Sequence, residues 1–211
     1  SEATYIIGSP DIDVMNSNSL PSLADVKKRY EIDYENYGVV IFHPVTTELE
    51  DLKTHIQVLV DALMQSNKNY VVIYPNNDNG SEIIFDAFDR MVGHANFRIF
   101  PSMRFEHFLQ LLKNADFMIG NSSAGVREAP HFGVPTINLG TRQNNRVSLP
   151  SIINVDFNLA SVSQAILNVN KSKHAQTTIF GDGNSAEKFY AILNEKEFWD
   201  ISKQKFFVDL D

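Results

Sequence analysis

Short, unbroken apolar runs alternate along the chain with longer segments in which apolar residues return every three or four positions. GVVIFH (38–43) is a continuous apolar run, as expected for a strand buried on both faces. YVVIYP (70–75), FRIF (97–100), ADFMIG (115–120), PTINLG (135–140) and IINV (152–155) repeat that form. Between the first two runs, residues 48–65 place Leu49, Leu52, Ile56, Leu59, Val60 and Leu63 at the spacing of one helix face. Residues 81–91, with Ile84, Phe85 and Phe88 on one side, and residues 105–113, 124–132 and 162–169 are predicted helices in the later gaps. A helix over 22–30, with Ser22 as N-cap and Asp25 three residues on, precedes the first run, and another over 185–193 follows the last. The chain opens on TYIIG (4–8), which reads as a further strand, and then a polar stretch over 16–21.

Strands separated by helices of this length imply right-handed βαβ crossovers. The expected fold class is therefore α/β, a Rossmann-like, doubly wound parallel sheet. In such sheets ligands bind outside the carboxyl ends of the strands, so the informative residues are those just after each run. They are Gly8-Ser9-Pro10, His43-Pro44-Val45-Thr46-Thr47, Pro75-Asn76-Asn77-Asp78, Gly120-Asn121-Ser122-Ser123 and Gly140-Thr141-Arg142-Gln143. All are polar, and they should converge on one edge of the sheet.

Composition narrows the partners. With 211 residues, 43% hydrophobic and 21% charged, the chain suits one fairly large globular domain. A net charge of −8 argues against nucleic-acid binding through bulk electrostatics, though not against a local basic pocket for phosphate. No cysteine is present, so thiolate metal sites and disulfides drop out. No apolar run approaches the ~20 residues of a membrane span, and the first residues lack the pattern of a signal peptide. The start, without Met and close to a strand-like run, suggests a piece of a longer protein, with the cytoplasm as its expected location.

The stretch IGNSSAGVREAPHFGVPTINLG (119–140) carries the most chemistry. A helix start exposes unpaired N–H groups and partial positive charge, which attract phosphate. Ser122 and Ser123 add hydroxyls there, and Gly125 would let an anion approach the backbone. A capping box needs Glu or Gln three residues after the cap, but Gly125 and Val126 hold those positions, so Glu128 is not spent in one. Its carboxylate fits the paired hydroxyls of a ribose. An ordinary solvated helix start accounts for the same spacing. Arg142 offers a rigid fork of donors to a phosphate or a base edge, or is a surface arginine of a loop. His43, at the end of a buried strand, is placed to donate a proton or to position a departing diphosphate, or is structural. The other five histidines, His55, His94, His107, His131 and His174, have no comparable placement and are expected to be structural or exposed. A dinucleotide fingerprint, a P-loop lysine and a G-x-S-x-G elbow are absent, and NNDNG (76–80) lacks the downstream glutamate of a calcium loop. No metal is expected.

GSPD (8–11), FHPVTTE (42–48), IYPNNDNGS (73–81), FMIGNSSAGVREAPHFGVPTINLGTRQ (117–143) and IFGDGN (179–184) resemble, in order, the carboxyl-terminal half of the hydrolysing UDP-N-acetylglucosamine 2-epimerases. The resemblance runs from about Tyr5 to Leu193. It implies a glycosyltransferase-B-like fold of two Rossmann-like lobes with the active site between them. Residues 1–211 would be the second, nucleotide-sugar-binding lobe, the first lobe and its catalytic acids lying outside this chain. By the same resemblance Ser122 and Ser123 hold the diphosphate, Glu128 the ribose hydroxyls, and Arg142 and Asn76 the nucleotide or its phosphates. Gly8 lets the backbone approach the ligand, and His43 is the catalytic histidine of this lobe. The implied reaction turns UDP-N-acetylglucosamine and water into N-acetylmannosamine and UDP, serves sialic-acid-type sugar biosynthesis, and needs no cofactor. The implied partners are a UDP-sugar and, in the longer protein, further copies of itself. A UDP-sugar-dependent glycosyltransferase lobe and a non-catalytic nucleotide-sugar-binding module fit the same architecture.

Overall fold

The computed structural model of the chain describes residues 4–169, 174–200 and 204. They fall into two compact units, one spanning Ser19–Thr177 and one drawn from Ser1–Asn18 and Thr178–Asp211.

The larger unit is a six-stranded parallel sheet. Its strands are β1 (Gly38–Ile41), β2 (Tyr70–Ile73), β3 (Phe97–Phe100), β4 (Phe117–Gly120), β5 (Thr136–Leu139) and β6 (Ile152–Val155), in the order β3-β2-β1-β4-β5-β6. The chain runs outward from β1 to β3, then returns to place β4 on the other side of β1. Strand order therefore reverses between β1 and β4, the place at whose carboxyl ends open α/β sheets hold their ligands. Gly38 pairs with both Tyr70 and Phe117, and Ile41 with both Ile73 and Gly120, so β1, β2 and β4 end level.

Alternation places side chains on both faces. Val40, Phe42, Tyr70, Val72, Phe117, Ile119, Ile137 and Leu139 join one core cluster with Leu52, Ile56, Leu59, Leu63, Ile84, Phe88, Val162 and Ile166. Those partners come from α3 (Leu52–Gln65), α4 (Ser81–Phe88) and α7 (Leu159–Asn168). The intervening residues Val39, Val71 and Met118 lie outside that cluster and are equally buried. On the other side, α2 (Leu23–Tyr30) packs on α5 (Phe105–Lys113), and α5 on α6 (Glu128–His131). Burial on both faces explains why the strands read as unbroken apolar runs.

The smaller unit joins α1 (Pro10–Met15) to α8 (Ser185–Leu193), with α9 (Lys196–Trp199) beyond. TYIIG (4–8) is not a strand, and Ile6 is almost fully exposed. Between it and the polar stretch over 16–21 lies α1, which the apolar pattern did not predict, started by Pro10 and by Asp11 and Asp13 in its first turn. Asp13 caps α8 across the unit: its carboxylate accepts from Ser185 N (3.0 Å), Ser185 Oγ (2.8 Å) and Ala186 N (2.9 Å). These bonds, the one from the Ala186 amide foremost, hold the Asp13 carboxyl below its usual range. The GSPD and IFGDGN motifs also meet, with Ser9 N donating to Phe180 O at 2.7 Å.

Candidate functional site

The turns after β1, β2, β4 and β5 gather at the level carboxyl ends of the strands. The close approach begins at Gly120, whose φ is +137°. A Cβ there would lie 1.9 Å from Ile41 O, so only glycine lets β4 end against β1. Asn121 follows, fully buried. Its N–H donates to Ile41 O (3.2 Å), its Oδ1 accepts from His43 N (2.7 Å) and its Nδ2 donates to His43 O (2.8 Å). Its own carbonyl accepts from Arg142 Nη1 (3.1 Å) and Gln143 Nε2 (2.8 Å). The turns after β1, β4 and β5 are therefore tied at one residue. Thr141 Oγ1 also donates to Glu48, a second link between the β5 and β1 turns. After β2, Ser81 Oγ bonds to Asn76 O (2.5 Å) and Asp78 O (2.7 Å), which shapes the loop and leaves the Asn76 side chain exposed.

His43 is 8% exposed, and its Nδ1 is buried without a hydrogen bond. Burial, and then the Arg142 guanidinium, hold its pKa down at about 4, against a smaller upward pull from Asp78. The ring is therefore neutral at pH 7. Arg142 is half-buried; desolvation and then Arg146 draw its pKa down, while Asp78 draws it up. Asp78 acts on both groups, which brings the β2 loop beside His43 and Arg142.

The segment after β4 departs from the sequence expectation. The helix predicted over 124–132 is a 3-10 turn, Ser123–Gly125, then a turn at 126–127, then the single-turn α6. Pro130 inside α6 removes an N–H, and the short pieces have little of a long helix's dipole. Ser122 Oγ accepts from Ala124 N (3.3 Å), so the protein itself caps one amide of the proposed phosphate seat. Gly125 also has a packing reason: a Cβ there would meet Thr136 Cγ2 at 2.6 Å, on the sheet rather than in an anion's path. At this turn Ser122 is buried and Ser123 half-buried, and Asn121 just before them bonds to the backbone of His43 and to the Arg142 guanidinium. Glu128 starts α6 and is 8% exposed, a buried carboxylate close behind this turn.

Gly8 lies in the smaller unit, with φ +88° and the Gly181 Cα at 3.1 Å from where its Cβ would stand. Sequence reasoning named neither Asn121 nor Gln143 as functional, although both stand in the turns that it selected. Among the other histidines, His55 stacks on Phe157, and His107 bonds to Tyr30 Oη. His131 is buried, which holds its pKa below the ordinary range. Among the described residues no group of three or more His, Cys, Asp or Glu stands together to hold a metal. No helix among them is long and apolar enough to cross a membrane.

The family model for UDP-N-acetylglucosamine 2-epimerases matches residues 1–194. A UDP-N-acetylglucosamine 2-epimerase of Neisseria meningitidis serogroup B is 47% identical over 98% of this chain and 56% of its own length. A UDP-N,N'-diacetylbacillosamine 2-epimerase (hydrolyzing) of Legionella pneumophila is 28% identical over 91% of the chain and 52% of its own length. The chain thus spans about half the length of the curated relatives it matches. A crystal structure of the Methanocaldococcus jannaschii UDP-GlcNAc 2-epimerase in complex with UDP-GlcNAc and UDP superposes with a TM-score of 0.68 at 19% identity. It covers 90% of this chain and 54% of that one, a likeness of fold.

Proposed function

Because the chain belongs to the UDP-N-acetylglucosamine 2-epimerase family, we propose that it is the nucleotide-binding lobe of a hydrolysing UDP-sugar 2-epimerase. The observation that carries this reading is the joining of the β1, β4 and β5 turns through Asn121 at the point where strand order reverses. UDP-N-acetylglucosamine is the substrate of this reading, as in the name of the relative 47% identical to it, and the Legionella relative's name supports the hydrolysing outcome. The same reading sets the reaction in the cytoplasm, in sialic-acid-type sugar biosynthesis, with the longer protein self-associating.

The roles follow the chemistry of the groups. Ser122 and Ser123 donate hydroxyl hydrogens to the diphosphate, and Arg142 supplies a fixed positive fork. Glu128 accepts from the two ribose hydroxyls. The exposed Asn76 side chain contacts the nucleotide. His43 stands where the leaving oxygen develops charge. It is neutral without ligand, and diphosphate opposite the ring raises its pKa, so UDP binding brings a proton to the site.

Departure of UDP makes the neighbouring carbon-two hydrogen more acidic. Its removal leaves the C–H electron pair as a carbon–carbon double bond in an unsaturated 2-acetamido sugar. Water then adds its oxygen to the anomeric carbon while a proton returns to carbon two on the opposite face. The sum is UDP-N-acetylglucosamine plus water to N-acetylmannosamine plus UDP. This lobe stabilises the departing diphosphate; the carbon-two proton is handled by acids of the other lobe.

By calorimetry, the 211-residue chain should bind UDP weakly and turn over no UDP-N-acetylglucosamine. With the rest of the protein supplied, turnover in heavy water should place deuterium on carbon two of the product. A product free of deuterium there, formed only with an acceptor, would replace the epimerase by a glycosyltransferase. UDP binding without turnover in the completed protein would leave a binding module.

A further inference from the structure

We propose that Asn121 is the positioning residue of this site: one side-chain amide fixes the backbone that carries His43, and the same residue's carbonyl fixes Arg142, so that imidazole and guanidinium are presented together to one anionic ligand. The ligand is the diphosphate of the reading above, and the inference rests on that reading.

The parallel ladder between β1 and β4 ends with Ile41 opposite Gly120. Beyond it the β4 backbone turns away at φ +137°, while β1 continues to His43 and Pro44. His43 N and O lie inside the protein, where unpaired backbone groups are costly, and Pro44 brings no N–H to help. The Asn121 amide takes the place of the missing strand, its acceptor on His43 N at 2.7 Å and its donor on His43 O at 2.8 Å. No other short side chain offers a donor and an acceptor in one rigid plane. Aspartate lacks the donor, serine the second atom, and glutamine is a carbon longer. The Asn121 carbonyl then receives the Arg142 guanidinium at 3.1 Å and the Gln143 amide at 2.8 Å. Three loops that share no other common residue in these bonds are set in register by one asparagine, which is fully buried and so does not itself meet ligand.

The test uses the 211-residue chain with UDP as the probe, in wild type, Asn121→Ala and Asn121→Asp. In Asn121→Ala, UDP affinity should fall about ten-fold or more. Exchange of the His43 amide should accelerate at least about ten-fold while the Val40 amide stays protected. The His43 ring should titrate higher by NMR, as it leaves its seat. A merely structural asparagine would lower the unfolding midpoint and leave UDP affinity and the His43 titration unchanged in folded protein; that result overturns the proposal. If Val40 loses protection too, Asn121→Asp decides. It keeps an acceptor for His43 N and loses the donor for His43 O, so UDP affinity should still fall while His43 N stays protected; unaltered UDP affinity overturns the proposal. Should wild type bind no UDP, the nucleotide reading fails, while the exchange and titration data still judge the clamp.

Discussion

The substitution Gly120→Ala probes the contact on which both the sheet and the site depend. A methyl group would stand 1.9 Å from Ile41 O and 2.8 Å from its carbonyl carbon, where normal contact begins at about 3.5 Å. Both partners are backbone, so relief requires β1 and β4 to part by roughly 1.5 Å. That separation breaks the bond from Asn121 N to Ile41 O and misaligns the two bonds between Asn121 and His43. Two or three buried hydrogen bonds at about 1 kcal/mol each add to about 1–3 kcal/mol for a side chain at this φ. The expected loss is about 3–6 kcal/mol, a large part of a typical domain's stability of ~5–15 kcal/mol. Gly93→Ala is the control: its φ is +82° and no atom lies within 4 Å of the new Cβ, so it carries the conformational cost alone, about 1–2 kcal/mol. Urea unfolding followed by far-ultraviolet circular dichroism gives both losses. Equal losses in the two variants would show that the β1–β4 approach is slack and refute the steric argument.

His43 should titrate near pH 4 in an NMR titration of ligand-free protein, below the ordinary 6.5. Because its folded pKa is the lower one, the unfolded chain takes up the proton first. Stability therefore falls as pH drops from about 6.5 through about 4, by at most about 3 kcal/mol. In calorimetry with two buffers of different ionisation enthalpy, UDP binding near pH 6 should show proton uptake that His43→Gln abolishes. Glu128→Ala should weaken UDP by about 1.5–3 kcal/mol and leave inorganic diphosphate nearly unchanged; equal weakening of both would remove the ribose role. Tyr37→Phe deletes a buried hydroxyl that donates to Leu111 O at 2.8 Å. Leu111 O keeps the Asn114 amide, so the loss should be only about 1 kcal/mol in urea unfolding.

The turns of the candidate site were legible because a parallel sheet makes position along the chain equivalent to position in space. Any residue just past a buried strand must come to the same edge, so the turns that hold His43, Asn76, Ser122 and Arg142 could be grouped without a structure, while the role of Asn76 came only from the family resemblance. Asn121 and Gln143 escaped notice because an asparagine in a turn usually serves that turn alone, and nothing local marks one whose partners lie 78 residues away. The segment after β4 was misread for a related reason. Its apolar spacing favours a helix, but Pro130 and the seat of Gly125 on Thr136 break it into two short pieces. TYIIG failed as a strand because an apolar run pairs only where a neighbour is available, and periodicity does not report neighbours.

The sequence by itself determined the α/β class, the parallel sheet and the edge where the polar turns of the candidate site gather, since apolar period and turn residues are local properties that burial on two faces makes unambiguous. Tertiary structure alone decided that strand order reverses between β1 and β4, that β4 comes close enough to β1 to demand glycine, and that one buried amide ties His43 to Arg142. Those features are distances between segments far apart in the chain, fixed by how the sheet packs, and no local pattern encodes them.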